Sequence, residues 1–351
     1  MKKNKGILFN LFLCLALSLA MQAQTVSPFN GLKINDSASD YTFIVSGHFH
    51  GSSANTSTYP AGTLLANIDT LNSVPAAFLM SLGDLFVDVN ETYIDHYDRS
   101  LFRKLKMPLF NAVGNHDVSN GNLYAKYYGA SYYSFAKGSE RFIILDTETD
   151  DGSIDGEQLN FFKAALEKAT AESKKNIFIF SHRPVWAEAN DRYRELFKNS
   201  TRTLIGSNNF ESVVRPLLAQ DASKAHIYWI SGSLGGGPSS FFYDKDATGI
   251  TYMQTAIRDQ ESDAVLIADV RNGVVSFHGL SLTGKQLDPV ESYGVDYWKG
   301  TGSAPEKFNF RLLPYLIKKM LLKADFWIGA LVSLIGTIVF LFLRKKWKRK
   351  K

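Results

Sequence analysis

Four short stretches carry the residues of this chain best suited to holding a metal ion. "VSGHFHG" (45–51) contains His48 and His50, "GDLFVD" (83–88) contains Asp84 and Asp88, "GNHD" (114–117) contains Asn115, His116 and Asp117, and "SHRP" (181–184) contains His182. Imidazole, carboxylate and amide oxygen are hard or borderline ligands that suit Mn, Fe or Zn. Residues two apart at the end of an extended strand point the same way, so both imidazoles of an H-x-H pair can reach one ion. Each stretch also has a plainer use. Gly-Asp and Gly-Asn are common turn pairs, and a histidine after a strand is more often a hydrogen-bonded structural residue than a ligand.

What separates these readings is position along the chain. Strands are predicted at "YTFIVSG", "AAFLMSLGD", "PLFNAVGN", "RFIILDT", "NIFIFSH", "HIYWISG", "AVLIADV" and "GVVSFHGLSL", each rich in β-branched or aromatic residues. Helical periodicity fits "AGTLLANIDTLN", "IDHYDRSLFRKLK", "GEQLNFFKAALEKATAES" and "FESVVRPLLAQD". The alternation predicts an α/β domain of mainly parallel strands, whose ligands gather at the carboxyl ends of the strands. All four polar stretches fall at such ends.

In that order and position the motifs resemble the calcineurin-like metallophosphoesterase superfamily, whose pattern runs D-x-H, G-D-x-x-D, G-N-H-[DE], a lone H and G-H-x-H. The resemblance covers residues 41–284 and is strongest at "GDLFVD" and "AVGNHD". It implies an αββα sandwich of two mixed sheets flanked by helices. It also implies one or two divalent transition ions (Mn, Fe or Zn), bridged by Asp84 and by a hydroxide that attacks phosphorus. Asn115 and His182 would bind the second ion and His50 the first, while His116, with Asp117 beside it, would protonate the leaving oxygen or steady the phosphoryl charge. Two cations do neutralise such a charge and acidify a bound water, and a histidine titrates near working pH. Asp88 is expected to serve local hydrogen bonding.

The chain departs from the pattern twice. His48 stands where the family has an aspartate, so a ligand is kept but a negative charge is lost. The closing G-H-x-H is missing: the sixth strand ends "WISGSLGGGP" and is either the family's final-motif strand stripped of its ligands or the next strand along with the motif deleted. Ser233 and Asp146 are reserve candidates for the pocket, whereas His96, His226 and His278 are expected to be structural or solvated. The glycines of "GSLGGGP" could cradle a phosphate through backbone N–H groups, though such runs are more often plain turns. The expected function is a membrane-anchored, exported phosphoesterase acting on a phosphorylated small molecule, lipid or glycan. The alternative is an inactive descendant that binds a phosphorylated ligand or a partner in the cell envelope.

The ends of the chain carry the remaining signals. Lys2, Lys3 and Lys5 precede an apolar stretch from Ile7 to Ala20, as in a secretory signal peptide spanning 1–23. Its removal would take away Cys14, the only cysteine, and with it any thiolate site. Residues 326–343 contain no charge and span about 27 Å as a helix, enough to cross a bilayer. The basic tail 344–351 then predicts a cytoplasmic C-terminus and an extracytoplasmic, periplasmic or lumenal, body. Residues 40–285 form the expected phosphoesterase-like domain, and 286–325, with their Gly, Ser and acidic residues, the expected linker and juxtamembrane segment. The formal net charge is +5, but without the three leading lysines and seven basic tail residues 29 Lys and Arg face 34 Asp and Glu. The basic pI therefore reports topology and gives no support to nucleic-acid binding. In a eukaryotic secretory pathway Asn55, Asn90 and Asn199 would be glycosylation acceptors.

Overall fold

The structure, a computed structural model, describes residues 25–35, 38–52, 55, 57–149, 151–198, 200, 207–233, 240–301 and 313–348. The expected signal peptide, Asn199 and most of the "GSLGGGP" run lie outside the described residues. The chain divides into two units, Met1–Phe308 and Asn309–Lys351.

The first unit begins with β1 (Tyr41–Ser46), α1 (Gly62–Ala66), α2 (Ile68–Ser73), β2 (Ala76–Ser81), α3 (Glu91–Ser100), β3 (Leu109–Asn111) and α4 (Leu123–Tyr128). It continues through β4 (Tyr133–Lys137), β5 (Glu140–Ile144), α5 (Gly156–Ala171), β6 (Asn176–Ser181), α6 (Arg194–Phe197), α7 (Arg215–Asp221) and β7 (His226–Ser231). The last elements are β8 (Phe242–Lys245), β9 (Thr251–Gln254), β10 (Ala264–Arg271), β11 (Val274–Ser281) and α8 (Val295–Thr301). One sheet has the order β11-β10-β1-β2-β3 and the other β4-β5-β6-β7-β9-β8. The interiors of both sheets are parallel, but β10, β11, β4 and β8 pair antiparallel. The two mixed sheets flanked by helices are as expected from the resemblance, whereas the strand alternation alone predicts a larger parallel share. Tight turns explain the difference: Asn272 and Gly273 both have positive φ, 53° and 76°, the conformation of a two-residue hairpin turn between β10 and β11.

Apolar residues on both faces of the central strands create the layers. Along β1, Phe43 and Val45 enter the core between the sheets while Ile44 joins the core beneath the helices on the other face. Along β6, Phe178 and Phe180 point inward, and Ile177 and Ile179 point to the helices of the second sheet. This is why both strands read as continuous apolar runs. Between the sheets Phe43 stacks on Phe78 at 4.9 Å and meets the edges of Phe142 and Phe178 at 5.5 and 5.1 Å. On the outer face α5 buries Phe162, Ala165, Leu166 and Ala169, one helical stripe, against Ile143, Ile177, Ile179 and Trp229.

The segment after β11, expected as linker, packs on the domain as far as Trp298. Val290, Tyr293 and Val295 are buried, Tyr243 N–H donates to Tyr293 O at 3.1 Å, and Trp298 Nε1 donates to Phe241 O at 3.1 Å. Its apolar residues are dispersed among Gly, Ser and acidic ones, so composition hides what spacing buries.

The second unit holds α9 (Leu313–Leu321) and α10 (Ala324–Lys348). In α9, Leu313, Ile317, Met320 and Leu321 are exposed along one helical face. Within α10, Phe326–Trp347 has a mean hydropathy of 2.5 and is the one described helix long and apolar enough to cross a membrane.

Candidate metal centre

Three strand ends of the first sheet and one of the second deliver the site. After β1 the chain turns at His48, whose φ is 56°. Backbone N–H groups of His48 and His50 then donate to Gly83 O and Asp84 O at 3.0 and 3.2 Å. The two imidazoles therefore reach their target through a turn, and not by the alternation of an extended strand end. After β2, Gly83 and Asp84 also take positive φ, 87° and 55°. A methyl group at Gly83 would stand 2.6 Å from Ala112 O and from His182 Nδ1, and one at Gly114 would overlap Asp84 Oδ1. The glycines of "GD" and "GN" thus allow two loops and an imidazole to close on one carboxylate.

At the centre His48 Nε2 lies 3.6 Å, and His50 Nε2 and His182 Nε2 each 3.5 Å, from the same atom, Asp84 Oδ2. These separations exceed the ~2.7–3.2 Å of a good N–H···O hydrogen bond. They match donors that share an ion about 2.1 Å from each. All three Nε2 atoms are buried without a hydrogen-bond partner. His182 Nδ1 donates to Leu82 O at 2.8 Å, which fixes the ring and leaves Nε2 its lone pair. His116 is held likewise, Nδ1 donating to Val87 O at 2.7 Å, while its backbone N–H donates to Asp84 Oδ1 at 3.2 Å. Two sets of mutually close ligand atoms result, His48–Asp84–His182 and His50–Asp84–His116. The family pattern puts the two H-x-H positions on one ion, whereas the turn at His48 groups His48 with His182.

Electrostatics favour the same chemistry. Burial holds the His48 imidazole well below its ordinary pKa despite the adjacent Asp84 carboxylate, so it offers a neutral ring. Burial alone would raise the Asp84 carboxyl, but the surrounding imidazoles of His182, His48 and His50 hold it well below the usual range. A neutral His48 ring beside the ionised Asp84 carboxylate is a pair of donors that a divalent transition ion fits.

The other candidates separate by position. Asn115 is exposed, and its Oδ1 accepts from Arg183 Nη2 at 3.3 Å. Asp117 is fully buried and serves the turn, accepting from Gly114 N, Phe86 N and Asn111 Nδ2 at 2.9, 3.2 and 3.2 Å. Burial, reinforced by Asp84, pushes its carboxyl up to about 6. Its two oxygens are thus committed to the turn that carries His116. Asp88 bonds Ser119 Oγ and Asn90 Nδ2, both at 2.9 Å. At the end of β7 the N–H groups of Gly232 and Ser233 donate to His182 O at 2.9 and 2.7 Å, so this strand end, which carries Ser233, abuts the site. Asp146 binds the backbone N–H of Glu148 at 2.9 Å. His226 is exposed, His278 faces Asp269 at 3.3 Å, and His96 stacks on Tyr59 at 4.2 Å; none joins either ligand set. Sequence reasoning overlooked Arg183 and Glu148, joined by Nε and Nη2 contacts of 2.9 and 2.8 Å to Glu148 Oε2. The arginine inside "SHRP" was the available signal.

No protein-family model matches the chain, and no curated protein matches it. Among solved structures, a conserved uncharacterised protein from Streptococcus pneumoniae TIGR4, described as a predicted phosphoesterase, is similar over 70% of this chain and 92% of its own, at 11% identity and a TM-score of 0.32. A cold-active protein-tyrosine phosphatase of a psychrophilic Shewanella species is similar over 69% of this chain and 80% of its own, at 12% identity and a TM-score of 0.29. At such low similarity the functional argument is carried by the site's own geometry.

Proposed function

We propose that this chain is a membrane-anchored, exported, metal-dependent phosphoesterase that hydrolyses a phosphate mono- or diester. One observation carries the reading: three buried, unpartnered imidazole nitrogens converge on one carboxylate oxygen, Asp84 Oδ2. His48, His182 and Asp84 would hold one divalent ion, and His50 with Asp84 a second, making Asp84 the bridge. A bound ion neutralises phosphoryl charge and acidifies water. The chain's own groups do the rest. Asp84, fixed by the His116 N–H, keeps the two ligand sets in register. His116, its Nδ1–H spent on Val87 O, carries the transferable proton at Nε2 for the leaving oxygen. Asn115, on the rim, is a contact for the substrate's phosphate or for an ion. By its length and the basic residues after it, α10 is the anchor, with the body extracytoplasmic and the tail cytoplasmic.

A second reading, a non-catalytic protein binding a phosphorylated ligand or an envelope partner, is favoured by Ser233 at the end of β7, where no imidazole or carboxylate completes the ligand sets. One experiment separates the two. Full-length protein purified in detergent without chelators should retain at least one transition-metal ion and hydrolyse p-nitrophenyl phosphate or its diester, faster with added Mn²⁺. Asp84→Ala should remove most of the metal and the turnover. Bound metal without turnover on either ester selects the binding protein, and metal-free wild type that takes up no Mn, Zn or Fe overturns the centre itself.

A further inference from the structure

Among the described residues, the buried side-chain atoms without a hydrogen-bond partner include the ligand nitrogens of His48, His50 and His182 and one glutamate oxygen, Glu148 Oε1. Glu148 lies in the loop between β5 and α5, with only 3% of its side chain exposed. Arg183 clamps Oε2 through Nε and Nη2, so one oxygen is neutralised and the other is left bare. The clamp is itself anchored: Arg183 follows His182 directly, its backbone N–H donates to Thr147 Oγ1 at 2.9 Å, and its Nη2 also donates to Asn115 Oδ1. Arg183 therefore ties the Glu148 loop to the strand end that carries His182 and to the turn that carries His116. The carboxylate is within electrostatic reach of both His182 and Asp84.

A bare carboxylate oxygen inside a protein costs on the order of 1–3 kcal/mol or more unless something satisfies it. Native folds keep such a group where an absent ion or water completes it. The charge balance asks for the same thing. The two ligand sets contain four imidazoles and a single carboxylate, Asp84, so one negative charge faces at least one divalent cation in a buried site.

We infer that Glu148 is the second carboxylate of the metal centre, its Oε1 binding the ion held by His48, Asp84 and His182 while Arg183 grips Oε2. The inference rests on the metal-centre reading above. Glu148 stands outside both sets of mutually close ligand atoms, so its Oε1 must move towards the ion on binding, with the Arg183 clamp limiting its reach. Substituting a neutral amide removes the charge while keeping the shape and the Arg183-facing oxygen.

The test uses full-length protein in detergent, stripped of metal and titrated with Mn²⁺ or Zn²⁺ alone by calorimetry, with bound metal counted by elemental analysis. Glu148→Gln should lose one equivalent of metal or weaken its binding about 10- to 100-fold. Glu148→Asp, which keeps the charge but shortens the reach, should keep the stoichiometry and lose part of the affinity. If wild type binds metal and either variant binds it with unchanged stoichiometry and affinity, Glu148 is not a ligand and the phosphoesterase reading survives. If wild type takes up no metal, both fall.

Discussion

His48 and Asp84, members of one ligand set, both occupy the left-handed backbone region, at φ 56° and 55°. For residues other than glycine this costs on the order of 1 kcal/mol each. The strain persists because the loops around it are over-determined: His48 and His50 are hung from Gly83 O and Asp84 O, and Gly114 is pressed against Asp84. Nearby, the two neighbours His116 and Asp117 divide their labour. Asp117 holds the turn from inside, and His116 belongs to the second ligand set, its ring 5.0 Å from that of His50. His116→Ala should therefore lower turnover on alkyl phosphate esters by about 10²-fold or more, and much less on p-nitrophenyl esters, whose leaving group needs little protonation. Equal losses on both substrate types would remove His116 as the proton donor.

At the scale of elements, the site exists because strand ends from two sheets meet. Gly47 closes against Gly232, where a methyl group would come within 2.9 Å of the opposing Cα, and Gly47 also bonds to Thr255 O and to the N–H of Ile257. The loop that makes this bridge leads into β10 and is braced by Asp263, whose Oδ1 accepts the Arg258 N–H at 2.8 Å. Burial pushes the Asp263 carboxyl up to about 7 from an ordinary 3.8. The folded state thus binds more protons than the unfolded state between those values, so this group's effect on stability is unfavourable and grows as pH rises through the window. An amide at this position would carry no charge at any pH. Asp263→Asn should consequently gain stability relative to wild type between pH 5 and pH 8, by up to a few kcal/mol at about 1.4 kcal/mol per pKa unit. Thermal melts at the two pH values check this, and a difference that does not change with pH would show that Asp263 stays ionised throughout.

For the whole molecule, the chain divides into an α/β body and a C-terminal unit with one described helix of membrane length, which under the proposed function is the anchor of a surface-held enzyme. The exposed apolar face of α9 suits the lipid interface next to α10. A tag placed after Lys351 should resist protease added outside intact spheroplasts, or to the lumenal side of opened microsomes, while the body is digested. Cleavage of the tag from that side would reverse the assigned orientation.

The local features were written in the sequence. Each of the eight apolar runs predicted as strands contributes a strand, because residues such as Phe43, Ile44, Phe178 and Ile179 fill opposite faces at a period of two. The short strands β4, β8 and β9 were not legible, since "YSFAK" and "FYDK" mix polar and apolar residues and depend on a neighbour to pair. "ANIDTLN" read as part of one helix, yet Asn67 breaks it by turning its amide to Thr63 O and Leu282 O. Residue types near one another in the chain likewise announced His48, His50, Asp84, His116 and His182. Which of them share an oxygen, that Asp117 faces inward, and that Glu148 pairs with the Arg183 next to His182, was decided by contacts between residues far apart in sequence. Spacing along a strand fixes side-chain direction only while the strand stays extended, and after β1 and β2 the backbone turns through positive φ at His48 and at Gly83–Asp84.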